Sequence, residues 1–272
     1  MSYFRQFPNI PYDFDRNGIL QNVVDIYRGA RPLRSRIDDM NAYSFYEIKN
    51  GERPDIVSQR LYGTTQYYWT FFITNDFLHD GLAAWPMSQE KLSDYMNQEY
   101  SGVAITTKPH TIPTGDIGVN LGQADSLSGR FQLGETITGG TSGATGTVVK
   151  KSLDLNQLVL QDVVGTFIGS SVQGASGLEV ITGSTSGDFV NTYDVYKYIE
   201  APHNYYRADD PEKRVVTNGI FIPGGEPSGE LSFDTNRSYL FGINEARSKI
   251  RIIDPKYISR FVDVYEETIR NV

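Results

Sequence analysis

The stretch from Tyr46 to Asp76 limits the fold most tightly, because it changes from a strand period to a helix period and carries a break at each change. Tyr46 and Ile48 alternate with Glu47 and Lys49, as a half-buried strand does, and Asn50-Gly51 interrupts the alternation. Pro54 suits a first helical turn, where a missing N–H costs nothing. Ile56, Val57 and Leu61 then give an apolar stripe at helical spacing, and Gly63 stops the helix. A second short helix follows over about Gln66 to Thr74. Aromatic residues cover nearly every side of it, so it reads as a helix buried by more than one neighbour.

Four stretches divide the chain. Residues 1–39 are rich in Pro, Asp, Arg and isolated aromatics, with little periodicity outside Ile19 to Tyr27, and read as an extended arm that orders on a partner. Within it Arg28, Arg31, Arg34 and Arg36 form a basic cluster, read either as a solvated face or as a contact for an acidic neighbour. Residues 40–100 hold the strand and two helices above, then a helix from Ser88 to Gln98 with Leu92, Tyr95 and Met96 on one face and Ser88 as its cap.

Over residues 101–190 the composition shifts to Gly, Ser and Thr, and Ile137-Thr138-Gly139-Gly140-Thr141-Ser142-Gly143 returns as Ile181-Thr182-Gly183-Ser184-Thr185-Ser186-Gly187. Between the copies, Gly146 to Val149, Leu155 to Asp162 and Thr166 to Ile168 read as short strands, so the stretch is expected to be a small all-β barrel or sandwich. Residues 191–272 contain a strand over Asn191 to Ile199, a long loop over Pro202 to Gly229, a strand over Lys249 to Ile252, and a last helix. Asp254-Pro255 reads as the cap and first turn of that helix. Its stripe of Ile258, Phe261, Val262, Tyr265 and Ile269 is suited to a partner or to the chain's own core.

Composition removes several classes of function. A net charge of −8 and the lack of a basic face argue against nucleic acid. With no cysteine, disulfides and thiolate chemistry are both excluded, which fits folding in a reducing cytoplasm. No charged-then-apolar leader is read at the start, and no apolar run approaches the roughly 20 residues of a membrane span, so neither export nor a membrane partner is expected. His79, His110 and His203 do not share a metal-binding spacing, and Gly140-Thr141-Ser142-Gly143-Ala144 lacks the second glycine of a nucleophile elbow. Adjacent carboxylates at Asp38-Asp39, Asp209-Asp210 and Glu266-Glu267 point to different faces. No enzyme activity, metal or cofactor is expected.

Gly51-Glu52-Arg53-Pro54-Asp55 through Leu61-Tyr62-Gly63, with Tyr68-Trp69, Asn75-Asp76, Trp85 and Ser88-Gln89-Glu90, resembles the LysM-containing baseplate wedge proteins of contractile-tailed bacteriophages (myoviruses). Phe4-Arg5-Gln6-Phe7-Pro8-Asn9-Ile10-Pro11-Tyr12 is similar to that family's opening arm, and Asn244 to Ile253 with the helix after it to its C-terminal end. The resemblance covers roughly residues 1–100 and 190–272; the middle looks like the Gly-Glu-Thr-Ile-Thr-Gly modules of phage structural proteins. It implies an α+β fold: a LysM-like βααβ module with an N-terminal arm, an inserted small all-β domain and a C-terminal strand and helix. The implied function is that of a structural subunit of the tail baseplate wedge, assembled in the host cytoplasm and carried in the virion. It would clasp neighbouring wedge and tail proteins and help join wedges around the hub. The interface residues expected on that reading are Phe4, Phe7, Tyr12, Arg31, Arg34, Tyr67, Tyr68, Trp69, Phe261 and Tyr265. The alternative is binding of peptidoglycan or another N-acetylglucosamine polymer, as LysM modules do in general. Against it, bulky Tyr67, Tyr68 and Trp69 replace the turns that contact glycan, and protein is expected to fill that groove.

Overall fold

The computed structural model describes residues 7–25, 42–107, 127–169, 178–207, 210–215 and 231–271. Among these the chain is mixed α and β, with fourteen strands (β1–β14) and five α-helices (α1–α5) numbered along it. Two compact units divide the elements: Met1–Lys91 with Ile243–Val272, and Leu92–Gly242.

In the first unit β1 (Asn9–Tyr12) and β2 (Gln21–Val24) pair antiparallel, with Asn9 opposite Val24 and Tyr12 opposite Gln21. The stretch read as an extended arm thus doubles back, and Asp13 turns it. Its carboxylate accepts the N–H groups of Asn17 and Gly18, and the Asn17 side chain accepts that of Ile19. Side-chain to backbone bonds of this kind fix a turn locally.

Next come β3 (Tyr43–Glu47), α1 (Pro54–Tyr62), a 3-10 turn over Thr65–Tyr67, and α2 (Trp69–Thr74). The buried face of α1 is Pro54, Val57 and Ser58, with Leu61 packed beside them, whereas Ile56 faces solvent. At about 100° per residue Ile56 falls off the stripe that residues 54, 57, 58 and 61 share. The strand that pairs with β3 comes from the far end of the chain. It is β14 (Lys249–Ile253), antiparallel, with Ile250 opposite Tyr46 and Ile253 opposite Tyr43. α5 (Ile258–Asn271) follows. Asp254 and Pro255 precede it in a separate turn, in which the Asp254 carboxylate accepts the Lys256 N–H and its carbonyl accepts that of Tyr257.

In the second unit β4 (Val103–Thr106), β5 (Thr136–Gly139), β6 (Thr145–Ser152), β7 (Gln157–Val164), β8 (Val180–Gly183), β9 (Phe189–Asn191) and β10 (Asp194–Lys197) form one antiparallel sheet in the order β10-β4-β7-β6-β5-β8-β9. Laid flat, seven strands would span about 29 Å. Yet the edge strands β9 and β10 are joined only by Thr192 and Tyr193, a link of at most about 11 Å. The sheet therefore curls round. Ile105, Ile137, Val148, Leu158, Leu160 and Ile181 fill its inside. Thr166 to Ile168 is not a strand of this sheet. Phe167 is buried in the core, and the Ile168 N–H donates to the Glu179 carboxylate instead of to a ladder.

Pro202–Arg207, expected within a loop, is β11, the middle strand of a second sheet between β12 (Asp210–Val215) and β13 (Ser232–Thr235). Its proline is tolerated because it is the first residue of the strand, and Pro211 because β12 lies at the edge. The rest of that expected loop, from 216 to 229, lies outside the described residues. Helix α3 (Gln89–Glu99) carries the chain into this unit and α4 (Asn236–Ser248) carries it back. On α3, Leu92 and Met96 are buried but Tyr95 is exposed.

The internal repeat is one structural exchange. β5 lies antiparallel to β8, with Thr138 opposite Thr182. Two residues before each Ile of the repeat stands a buried glutamate, Glu135 (4% exposed) and Glu179 (1%). Each reaches into the turn of the other copy. Glu135 accepts the Ser186 hydroxyl at 3.0 Å and the N–H groups of Thr185 and Ser186. Glu179 accepts the Ser142 hydroxyl at 2.8 Å and the N–H groups of Thr141 and Ser142. The glycines at 139 and 183 make room: a Cβ there would sit 2.5 Å and 2.7 Å from the opposing glutamate oxygens. Burial alone would raise the Glu135 pKa, but the hydrogen bonds from Ser186, Gln132 and Thr185 hold it below the ordinary value of 4.5.

A depressed carboxylate stabilises the fold fully above its unfolded pKa and loses that contribution as pH falls through the folded value. Stability of the second unit is therefore expected to decline once pH drops below 4.5. Glu135→Gln should cost about 3 kcal/mol at neutral pH, since it turns the NH2 of an amide toward backbone donors, and should flatten the acid dependence. Urea unfolding at several pH values, followed by far-UV circular dichroism, measures both effects.

Candidate interaction site

Two aromatic layers in the first unit are built on opposite sides of α2. On one side Phe71 packs with Ile48, Val57, Leu78 and Trp85 and with Ile250 and Ile252 of β14. On the other, Trp69 packs with Phe7, Ile253 and the stripe of α5: Ile258, Val262, Tyr265 and Ile269. The Trp69 ring lies 4.9 Å from Tyr265 and 6.5 Å from Phe261. The alternative left open for the α5 stripe is settled within the unit, which buries it. Tyr62, pushed up to about 12 by burial, donates its hydroxyl to the Ile253 carbonyl at 3.0 Å.

Asn75 fastens these layers to the distant strand. Its Nδ2 donates to the carbonyls of Phe71 and Arg251 at 2.8 and 2.9 Å, and its Oδ1 accepts the Arg251 N–H at 2.8 Å. Asn244 pairs with Met87 in the same two-way fashion, at 2.7 and 3.0 Å. A polar brace closes the β3 side. The Glu52 carboxylate takes bonds from Tyr46, the Lys49 N–H and Arg60, while the Trp85 indole donates to the Glu52 carbonyl at 2.7 Å. Burial would raise the Glu52 pKa, but those donors and the Arg60 charge keep it below the usual glutamate range.

Of the residues expected at interfaces, Phe7, Trp69 and Tyr265 are buried in the aromatic layer of their own unit. Tyr67, Tyr68 and Phe261 are half-buried at its margin. Phe4, Arg31 and Arg34 lie outside the described residues. Tyr12 is exposed on β1, its ring 5.0 Å from Phe14.

Around Tyr12 is a surface that residue-by-residue reading missed. Ile10, Phe14, Ile19, Leu20 and Val24 are all exposed on the β1–β2 ribbon, Leu20 at 65%. A two-stranded ribbon with no apolar cover is marginal in water. Phe45 on β3 is 80% exposed, on the face opposite the core. Among the described residues, no group of three or more His, Cys, Asp or Glu could hold a metal, and no helix is long and apolar enough to cross a membrane.

Residues 3–117 match the model of a phage family described as base plate wedge protein 53. The match takes in the ribbon, β3, α1, α2, α3 and β4, and ends before β5. No curated protein matches the chain.

Asn75 should be the costliest small polar side chain of the first unit. Asn75→Ala strands the Arg251 N–H and the Phe71 carbonyl, an expected loss of about 2–4 kcal/mol. Trp69 and Trp85, the only two tryptophans, both belong to this unit, so fluorescence-detected urea unfolding reads it selectively.

Proposed function

We propose that the chain is a structural subunit of a phage tail baseplate wedge that works by holding neighbouring wedge and tail proteins, and that it resides in the virion tail. The observation that carries this reading is the β1–β2 ribbon. It presents six large apolar side chains to water, beside an aromatic block already packed, in the region that matches the wedge family. Apolar groups so placed gain most by burial against another protein.

On this reading β3, α1, α2 and β14 form a LysM-like block whose second strand is supplied from the C-terminal end. Phe7, Trp69 and Tyr265 build that block and hold α5 on it. Tyr12, Tyr67, Tyr68 and Phe261, with Phe4, Arg31 and Arg34, are the contacts offered to neighbours as wedges of a contractile tail join around the hub. Peptidoglycan binding is the weaker reading, because the face beside Trp69 is filled by Phe7 and α5.

The test is complementation of a phage lacking this protein. The triple variant Tyr12→Ser, Phe14→Ser and Leu20→Ser should keep native tryptophan fluorescence yet fail to restore baseplates seen by electron microscopy. Normal baseplates with this variant would remove the ribbon from the assembly role. Saturable retention of the full chain on insoluble peptidoglycan, competed by chitooligosaccharide, would overturn a purely structural function.

A further inference from the structure

The first turn of α4 gathers cations from three strands of the second unit. His203 of β11 stacks on Tyr239, with ring centroids 3.6 Å apart and 17° between planes. The Arg214 guanidinium of β12 lies 5.9 Å from the same Tyr239 ring. From β6 the Lys150 ammonium donates to the Tyr198 hydroxyl at 3.1 Å. Asn236, at the start of the helix, ties these together: its Nδ2 donates to the Tyr198 carbonyl at 2.7 Å, and its Oδ1 lies 3.0 Å from His203 Nδ1. That amide orientation makes Nδ1 the protonated nitrogen of a neutral His203 and leaves Nε2 with the lone pair.

This is an unusual place in a chain of net charge −8. Among the described residues neither Lys150 nor Arg214 is in an ion pair; of the nearby carboxylates, Asp234 is bonded by Asn204 and Glu200 by Arg237, while Glu212 stands exposed two residues before Arg214 on β12. The N-terminal end of the 13-residue α4 adds the positive end of its dipole. Burial lowers the His203 pKa, the Asn236 hydrogen bond opposes this, Arg214 and Lys150 lower it further, and Asp234 partly offsets them. The charges of Arg214 and Lys150 thus bear on one imidazole, offset only in part by Asp234.

We propose that Lys150, His203 and Arg214 form an oxyanion-binding site at the first turn of α4, suited to a carboxylate or phosphate group. Two side-chain charges and a third that appears on protonation match the charge-assisted bonding such groups seek. The bound anion would come from acidic side chains of a neighbouring protein or from free phosphate. Lys150, His203 and Arg214 lie outside the region that matches the wedge family, and the site does not depend on the ribbon.

Histidine-selective NMR of the full chain tests this, since only three histidines are present. Inorganic phosphate and an oligoglutamate peptide are titrated separately, at constant ionic strength held with sodium chloride. Saturable shifts of the His203 ring signals and a raised His203 pKa are expected in at least one titration. The double variant Lys150→Gln, Arg214→Gln should weaken binding about tenfold or more. Lys249→Gln in the first unit should not. Either single variant, losing only one exposed charge, provides the same comparison should the double variant unfold. Tighter binding of the peptide identifies a protein partner, and response to phosphate alone identifies a free oxyanion; both uphold the site. His203 signals unmoved by either titrant, or undiminished binding by the charge-removed variants, would overturn it.

Discussion

Everything in the first unit depends on β3 meeting β14, two strands separated by about two hundred residues of chain. Closing so long a loop in an unfolded chain costs roughly 5 kcal/mol of entropy. The contacts that repay this are concentrated on a few residues. Ile250 and Ile252 enter one aromatic layer, Ile253 enters the other, and Asn75 bonds Arg251 from both of its polar ends. Asn244 and Met87 add a second two-way pair close to where the chain leaves and re-enters the unit. The intervening chain can thus carry a unit with its own core without loosening the first.

The second unit solves its closure with charge. Its turns are made of Gly, Ser and Thr, which offer little apolar surface to bury, so the two copies of the repeat are held by Glu135 and Glu179 reaching across to each other's turn. A buried carboxylate is costly unless its oxygens are filled with donors. Here backbone N–H groups and a serine hydroxyl fill them, and the same bonds satisfy turn donors that would otherwise be orphaned. Because the exchange is reciprocal, neither turn is braced unless both are formed. That coupling makes the repeat a pair and not two independent hairpins.

Local period was legible in the sequence; partnership was not. The helix at Pro54, its stop at Gly63 and the aromatic burial of α2 followed from spacing alone, and so did the stripe of α5. The partner of β3 could not be read, because a five-residue strand bears no mark of which distant strand it joins. β11 was hidden by Pro202 and the Pro- and Gly-rich stretch beyond it. Two further signals stand in the sequence. Glu135 and Glu179 stand at the repeat's own spacing, two residues before Ile137 and Ile181. Phe45 falls in phase with Glu47 and Lys49, the solvent side of β3, where an aromatic has no structural use within its own unit. Tyr67, Tyr68 and Trp69 illustrate the converse: residue type marked them as adhesive, but only the packing of Phe7 and α5 shows how much of that surface the chain uses itself.

That division separates rigidity from adhesion. Trp69, Phe71, Trp85 and Tyr265 are buried within the unit, so they shape a surface without having to be desolvated again on assembly. The ribbon is the reverse: Ile10, Tyr12, Phe14, Ile19, Leu20 and Val24 are exposed, and among the described residues the Asp13 turn, four residue pairs and the bond from the Asp25 N–H to the Pro8 carbonyl hold its shape. Six such side chains, already partly covered by their neighbours, offer on the order of 5–10 kcal/mol if a partner covers the rest. Ordering and association would consume much of that gain, leaving a contact that is useful chiefly when several act together. A subunit built this way holds weakly through any one ribbon and firmly through many, which suits a ring of repeated parts better than it suits a solitary binding module.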